Sequence, residues 1–266
     1  MTIALHLRSG RGFTLTELAV VITIIGFLMA TAMYTLSAQT EQRNFEETRR
    51  RLEAARELIL AFAIVNGRLP CPATGSGDEA PVGGGTCTAP GPYAGLLPAR
   101  TIGFQIMDQA GNAIDAWGNS IRYAVSAAVP VNSQTPRVCR PVSDTIPPVA
   151  PHFTNRDNLK TQGIECQPSD LIVCRSATGI TASSCGGSAN QVMTQNLVVA
   201  IVFSTGKNGA TGTGGTDEAA NVNGDPVFVW HTPTPTGAAN GEFDDHMTWI
   251  TVGELYGKLI AAGVLP

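Results

Sequence analysis

Residues 13–36 read FTLTELAVVITIIGFLMATAMYTL, and the interpretation of this 266-residue chain depends on them. The stretch has 24 residues and one charged side chain, Glu17. A helix rises about 1.5 Å per residue, so these residues can cross a hydrocarbon core of about 30 Å. We therefore expect residues 13–36 to form a transmembrane helix. A secretory signal peptide fits less well, because its apolar region usually runs about 7 to 15 residues before a small-residue cleavage site.

Glu17 is an expensive residue in such a helix. An unpaired charge near the bilayer centre costs about 2.5–3.5 kcal/mol on insertion scales. The stretch contains no cation, so we expect a partner from outside it. The alternative is that the carboxylate lies near the helix end and reaches the lipid headgroups.

The segment RGFTLTEL, residues 11–18, resembles the class III signal of type IV prepilins and type II secretion pseudopilins. The short leader 1–12, which carries Arg8 and Arg11, resembles theirs too. The resemblance implies that a prepilin peptidase cleaves after Gly12 and methylates the new amine of Phe13. It also implies that Glu17 pairs with the amine of a neighbouring subunit during assembly.

Two residues depart from the pattern of that family. Thr16 stands where an apolar residue is usual, and Tyr34 where many true pilins have a helix-kinking proline. Gly26, a helix-weakening glycine in many pilins, is retained. Because proline removes a hydrogen bond and clashes in a helix interior, its absence predicts a straighter helix.

Residues 37–66 change from wholly apolar to amphipathic. Their apolar positions recur at spacings of three and four, which places them on one helical face, and Glu and Arg residues cover the other. The sequence Asn66-Gly67, with prolines at 70 and 72, predicts where the helix ends. The residues of the apolar face are Phe45, Thr48, Leu52, Ala55, Ile59 and Phe62.

Residues 67–266 are long enough for one sizeable core and are rich in glycine and proline. Five β-rich segments predict strands at 121–126, 171–174, 197–204, 227–231 and 247–251, arranged as an antiparallel meander. Residues 73–93 are predicted to be a long loop, and residues 129–168 are a proline-rich region with room for an excursion from the sheet. Thr251 and Glu254 have capping-box spacing and predict a closing helix. We expect an α+β, pilin-like fold with a long N-terminal helix, transmembrane then amphipathic, packed on an antiparallel sheet with long loops.

All six cysteines lie beyond the predicted span. An even set of cysteines in an exported domain is typical of disulfides in an oxidising periplasm. Six cysteines allow 15 pairings, and we favour Cys71 with Cys87 because they flank one glycine-rich loop. Structural zinc is the alternative, but no two cysteines form a C-x-x-C pair. The six are Cys71, Cys87, Cys139, Cys166, Cys174 and Cys185.

Two further segments, DAWGN at 115–119 and STGKNG at 204–209, resemble the D-x-W-G-N segment and glycine-rich loop of major pseudopilins. We expect Asp115 to be a turn residue and Trp117 to be packed. In those relatives the loop binds calcium, which implies a calcium site here. The alternative is a flexible, solvated loop, and Asn208 replaces the usual acid. The oxygen ligands available for calcium are Asp217, Glu218 and Asp225, with Asn221 and Asn223.

Signals of catalysis or nucleic-acid binding are weak. Asp244, Asp245 and His246 adjoin one another, but no nucleophile or metal-ligand spacing accompanies them. The chain carries a net charge of −4, so we expect no general nucleic-acid binding, although a local patch for DNA uptake stays open. We expect a protein that is not an enzyme.

The resemblance implies a minor pseudopilin of a type II secretion system, anchored once in the inner membrane with its C-terminal domain in the periplasm. Its expected partners are sister pilin or pseudopilin subunits, the prepilin peptidase, the inner-membrane assembly platform and membrane lipid. One alternative is a minor pilin of a type IV pilus, which would lie in a cell-surface filament. Others are an anchored periplasmic ligand-binding protein that does not polymerise, and an anchored enzyme.

Overall fold

The computed structural model describes residues 14–130, 139–140, 151–209 and 214–265, without the side chains of 31–38, 130, 139 and 140. The chain divides into two compact units, Met1–Phe45 and Glu46–Pro266. The predicted leader 1–12 and residue Phe13 lie outside the described residues. The predicted division into a transmembrane half-helix ending at residue 36, an amphipathic half-helix ending at residue 66 and a periplasmic domain stays a prediction.

Five helices and nine strands alternate along the described chain in an α+β mixture, which confirms the predicted fold class at that level. The helices are α1 Leu15–Asn66, α2 Ala99–Ile102, α3 Arg156–Gln162, α4 Thr216–Asn221 and α5 Val252–Ala261. The strands are β1 Gly95–Leu96, β2 Arg122–Val125, β3 Val129–Pro130, β4 Cys139–Arg140, β5 Ile172–Cys174, β6 Gln191–Met193, β7 Val198–Ser204, β8 Val227–Val229 and β9 His246–Thr251. Short 3-10 turns occupy Gly163–Glu165 and Ser188–Asn190.

Helix α1 has 52 residues and defined signals at both ends. At its start, Thr14 Oγ1 accepts from the Glu17 N–H at 3.2 Å, and Glu17 Oε2 accepts from the Thr14 N–H at 2.9 Å. This is a capping box. At its end Gly67 has φ +69°, a left-handed conformation that glycine adopts without steric cost.

Within the described residues, no helix combines the length and the apolar character needed to cross a membrane.

The predicted amphipathic face of α1 is confirmed in the second unit. Thr48, Leu52, Ala55 and Ile59 are buried, and Phe62 is half-buried. The aliphatic members join a core with side chains of β2, β7 and α5. Burial of such side chains typically contributes about 1.5–3 kcal/mol each. This face therefore attaches the second part of α1 to the sheet.

The main sheet has four strands in the order β1-β2-β7-β9, and every neighbouring pair is antiparallel. It contains three of the five predicted strands. Strand β7 lies at its centre with all seven residues buried. Thr251 caps α5 by accepting from the Glu254 N–H, which confirms the predicted closing helix.

The other two predicted strands correct the expected single meander. Strands β5 and β8 pair in parallel, with Ile172 opposite Val227, and form a separate sheet in the order β6-β5-β8. Between β5 and β8 the chain passes through β7 of the main sheet, and so long a connection permits parallel pairing. Strand composition predicted the strands but could not specify which sheet they join. Strands β3 and β4 form a two-stranded pair outside the main sheet, within the proline-rich region 129–168.

Disulfides link the loops to the core. Cys71 bonds Cys87, as predicted, and Cys174 bonds Cys185. Cys166 is disulfide-bonded too, and the described residues include no free cysteine. Cys139 lies in β4, and its side chain is outside the description. Disulfide formation is thus confirmed for the described cysteines.

A buried ion pair lies beside the Cys71–Cys87 bridge. Arg68 donates to both carboxylate oxygens of Glu79, at 2.8 and 2.6 Å, and both side chains are less than a tenth exposed. Glu79 also accepts from the backbone N–H groups of Cys71 and Gly83. One carboxylate thus organises the segment that follows α1.

Breaking this pair should be costly. We expect Glu79→Gln to lower the free energy of unfolding by about 3–5 kcal/mol, because it leaves the Arg68 charge buried and uncompensated. The double replacement Arg68→Met with Glu79→Leu should cost clearly less than the sum of the two single changes. Urea unfolding of the full chain in detergent measures both values.

Asp78→Asn is the matched control, because the Asp78–Arg100 pair is half exposed and 3.9 Å apart. Its effect should stay within about 1 kcal/mol. Equal effects of Glu79→Gln and Asp78→Asn would contradict the assigned role of the buried pair.

Candidate functional site

The first candidate site is the start of α1. Both hydrogen bonds that Thr14 donates, from its N–H and its hydroxyl, end on Glu17 Oε2 at 2.9 Å. In the described part of the chain, Glu17 Oε1 has no hydrogen-bond partner. The T-x-x-E spacing signals this capping role, which sequence reasoning missed because Glu17 was considered only as a charge in an apolar segment. Capping thus fixes the carboxylate and leaves one oxygen available.

The helix surface after Glu17 is apolar and exposed in the chain by itself. Leu15 is 86 % exposed and Phe27 72 %. The hydroxyl of Thr23, a polar group in this stretch, donates to the Ala19 carbonyl at 2.8 Å. A surface of this kind is normally covered by lipid or by another protein.

The second candidate site is a cluster of three buried carboxylates, Glu218, Asp244 and Asp245. One oxygen from each lies within 4.8 Å of the others. Glu218 comes from α4, whereas Asp244 and Asp245 immediately precede β9. All three are less than a tenth exposed. Unscreened carboxylates this close repel one another, so the cluster requires protons or a cation.

The hydrogen bonds of the cluster are incomplete. Glu218 accepts from the Asn208 amide and the Asp244 N–H, and Asp245 accepts from the Asn221 amide at 2.7 Å. Asp244 Oδ1 and Asp245 Oδ1 are buried with no hydrogen-bond partner. Buried polar atoms without partners are uncommon in folded proteins. Two oxygens are thus available for a ligand.

Burial shifts the ionisation of all three acids in the same direction. It raises the pKa of Glu218 to about 7, even though hydrogen bonds from Asp244 and Asn208 oppose the shift. Burial likewise raises the pKa of Asp244, and that of Asp245 well above its usual value. The nearby Arg122 guanidinium lowers the pKa of Asp245 only in part. A divalent cation bound by the three acids would stabilise their charged forms and so offset the cost of burying them.

The loop after β7 is built around this cluster. Asp244 Oδ2 accepts from the backbone N–H groups of Lys207 and Asn208, at 3.0 and 3.2 Å. Gly206 has φ +63°, and a Cβ atom there would collide with Asp244 Oδ1. The loop therefore requires glycine at position 206. A cavity of about 240 Å³ opens beside the cluster and is lined by Arg122, Asn208 and the two carboxylates Glu218 and Asp245, among others.

The structure brings only Glu218 of the three predicted acidic calcium ligands into the cluster, where Asn221 donates its amide to Asp245. Asp217 instead accepts from His231 at 3.1 Å and from the Asn240 amide. Asp225 accepts from the Val227 N–H and the Asn223 amide within its own turn. Sequence reasoning missed Asp244 and Asp245 as partners of Glu218, because they are 26 and 27 residues away along the chain.

The predicted turn at 115–119 connects α1 to this loop. Asp115 Oδ1 accepts from the N–H groups of Trp117 and Asn119, which confirms its predicted role in a turn. Its Oδ2 accepts from the Ser204 hydroxyl at 2.6 Å. Trp117 is half-buried, with its ring stacked on His246 at 6.1 Å. The adjacent trio 244–246 is thus split, with the two acids in the cluster and the histidine against tryptophan.

Residues 7–33 match the family model described as the prokaryotic N-terminal methylation motif. This is the class III signal of type IV pilins and pseudopilins. The motif supports a protein of the type IV pilin or pseudopilin type that is a prepilin peptidase substrate and assembles with other pilin subunits. Comparisons with curated proteins and with solved structures give no match.

Proposed function

We propose that this chain is a membrane-anchored, pilin-like structural subunit that assembles through its N-terminal helix. The match of residues 7–33 to the methylation motif carries the proposal. In it, residues 13–36 form the inner-membrane anchor and residues 67–266 a periplasmic domain. The exposed apolar side chains at the start of α1 support the anchor, and the disulfides support an oxidising compartment.

The proposed role is that of a minor pseudopilin in a type II secretion system. The domain after α1 is large for a major subunit, which favours a minor or tip-proximal position. A minor pilin of a type IV pilus is the second candidate, favoured by the same motif. The chain in either role is not an enzyme.

Glu17 is the proposed assembly residue. Its Oε2 is used by the capping box, whereas Oε1 is open to the methylated Phe13 amine of a neighbouring subunit. An ion pair in hydrocarbon is far stronger than one in water, since the local dielectric is low. The carboxylate therefore favours a filament over an isolated subunit in the bilayer.

We also propose that Glu218, Asp244 and Asp245 hold a divalent cation, with calcium as the expected ion. The observation in its favour is that two buried carboxylate oxygens have no partner. Calcium prefers hard oxygen ligands at six to eight positions. The three carboxylates would supply part of that set. A bound ion would link α4 to the segment before β9.

Processing tests the motif itself. We expect the full chain extracted from membranes to begin at methylated Phe13 in intact-mass analysis. Gly12→Ala should be processed, whereas a bulky residue at position 12 should block cleavage. A mature chain that retains Met1, or one cut near Ala38, would overturn the proposal and favour the alternatives.

Glu17→Gln tests assembly separately from helix capping. Glutamine also suits a capping box, so helix α1 should form and insert while the charge is lost. Crosslinking of the variant into filaments should drop at least tenfold. Thr14→Ala is the matched control, since it removes the side-chain cap and keeps the charge, and its crosslinking should drop clearly less than that of Glu17→Gln. Normal assembly of Glu17→Gln would rule out the intersubunit ion pair.

Calcium and chelator should give different thermal midpoints for the full chain in detergent. Calcium at about 100 times its Kd would stabilise the folded state by about 2.7 kcal/mol, and each kcal/mol shifts the midpoint of a domain this size by about 2–4 °C. Asp245→Asn should reduce the shift by at least half, because the amide oxygen keeps a ligand atom but removes one of the negative charges that bind the cation.

Asp225→Asn is the control for this site and should retain the calcium shift, because Asp225 lies outside the cluster. Loss of the shift in Asp225→Asn alone would restore the ligand set expected from the sequence. Equal midpoints in calcium and chelator would reject the cation.

A further inference from the structure

Within the described residues, strand β9 is an edge strand of the main sheet. Among the described strands it pairs only with β7. Its sequence HMTWIT contains no lysine, acid or proline, the residues that natural proteins commonly place on exposed edges. An edge of this composition is suited to pairing with another chain.

Hydrogen-bond parity shows which backbone groups point outward. Val125 N–H donates to the Pro92 carbonyl at 2.9 Å, on the β1 side, so the neighbouring Ala124 faces β7 and pairs there with Ile201. Because orientation alternates along a strand, Val202 faces β9 and pairs there with Thr248. The neighbours of Thr248, Met247 and Trp249, therefore turn their N–H and C=O groups away from the sheet.

One of these outward groups is already in use. Arg56 Nε donates to the Trp249 carbonyl at 3.1 Å, which independently confirms the outward orientation. Within the described part of the chain, the Met247 N–H and carbonyl and the Trp249 N–H have no hydrogen-bond partner. Their spacing suits the backbone of an added strand.

A groove of about 360 Å³ opens at the first half of this edge, where Met247 and Thr248 line it. Its lining also includes Arg49 and Glu53 of α1, and Trp230 and Pro233 after β8. The Trp230 ring is 37 % exposed and meets the Trp249 ring edge-on at 5.7 Å. The groove thus offers backbone groups beside an aromatic surface that can contact a side chain.

The charge of the groove specifies its occupant further. Arg49 is exposed and has no ion pair among the described residues. The neighbouring Glu53 is already engaged by Arg56 and by the Thr248 hydroxyl. His231 pairs with Asp217, and Asp245 accepts from Asn221. Arg49 is therefore a cation of this groove that has no ion-pair partner within the described residues.

We infer that this groove binds an extended polypeptide segment of another protein. The segment pairs with β9 at Met247 and Trp249, packs a side chain on Trp230 and places a carboxylate next to Arg49. Main-chain hydrogen bonds supply affinity in such complexes, and the flanking side chains supply specificity. This interaction does not require that the chain be a pilin.

A positional-scanning library of nine-residue acetylated and amidated peptides, tested on the full chain in detergent by fluorescence polarisation, probes the groove. Bound peptides should favour Asp or Glu at one fixed position. They should also slow amide hydrogen exchange at Met247 and Trp249. Failure of every peptide to bind or to protect these amides would overturn the inference.

Variants identify the contacts. Met247→Pro removes one outward N–H that β7 does not use, a substitution that edge strands tolerate, and should weaken binding about tenfold, whereas Met247→Leu should not. Arg49→Glu should abolish the acidic preference, and the neighbouring exposed Arg50→Glu should leave it unchanged. If Met247→Pro fails to fold, the Arg49 and Arg50 pair decides alone. Identical peptide preferences in those two variants would refute the proposed orientation.

Discussion

The buried stripe of α1 against the four-stranded sheet is the interaction on which the second unit depends. Leu52, Ala55 and Ile59 are almost completely buried, and they belong to the same core as side chains of β2, β7 and α5. Two arginines extend this attachment on its flanks. Arg51 donates to the carbonyls of Ile114 and Asp115, and Arg56 bonds the Trp249 carbonyl and Glu254.

From Arg51 a continuous series of polar contacts leads to the carboxylate cluster. Arg51 holds the 115–119 turn, and Asp115 in that turn accepts from Ser204. Asn119 donates to the Gly206 carbonyl, and the loop at Gly206 surrounds Asp244. The cluster is therefore positioned from α1 through the Arg51 guanidinium group and then through backbone atoms and short side chains. The energy of such a network is not a sum of its separate bonds.

Sequence patterns predicted what is local in this fold. The spacing of Leu52, Ala55 and Ile59 gave the buried face of α1, and Thr251 with Glu254 gave the start of α5. Sheet membership is not local. Strands β5 and β8 are as fully buried as β7 and are likewise rich in β-branched residues, so the sheet that each joins depends on the packing of whole sheets.

The candidate sites show the same division. The T-x-x-E signal at Thr14 is readable, and the methylation motif is confirmed at residues 7–33. The carboxylate cluster could not be predicted in full, because Glu218 is separated from Asp244 by 26 residues and the pairing depends on where β9 begins. The composition of the loop drew attention to Asp217 and Asp225. Those two carboxylates lie outside the cluster and accept hydrogen bonds from other residues, Asp217 from His231 and Asp225 from the Val227 N–H.

The capping box also bears on how Glu17 can serve an assembly. Ordering a free glutamate side chain costs up to about 1.5–2 kcal/mol of rotamer entropy. The two hydrogen bonds from Thr14 already fix this side chain in the single subunit, so a partner amine would meet a carboxylate that is largely ordered. Binding to groups ordered in advance retains more of the gross interaction energy. The threonine that starts the helix therefore lowers the cost of the intersubunit ion pair that we propose.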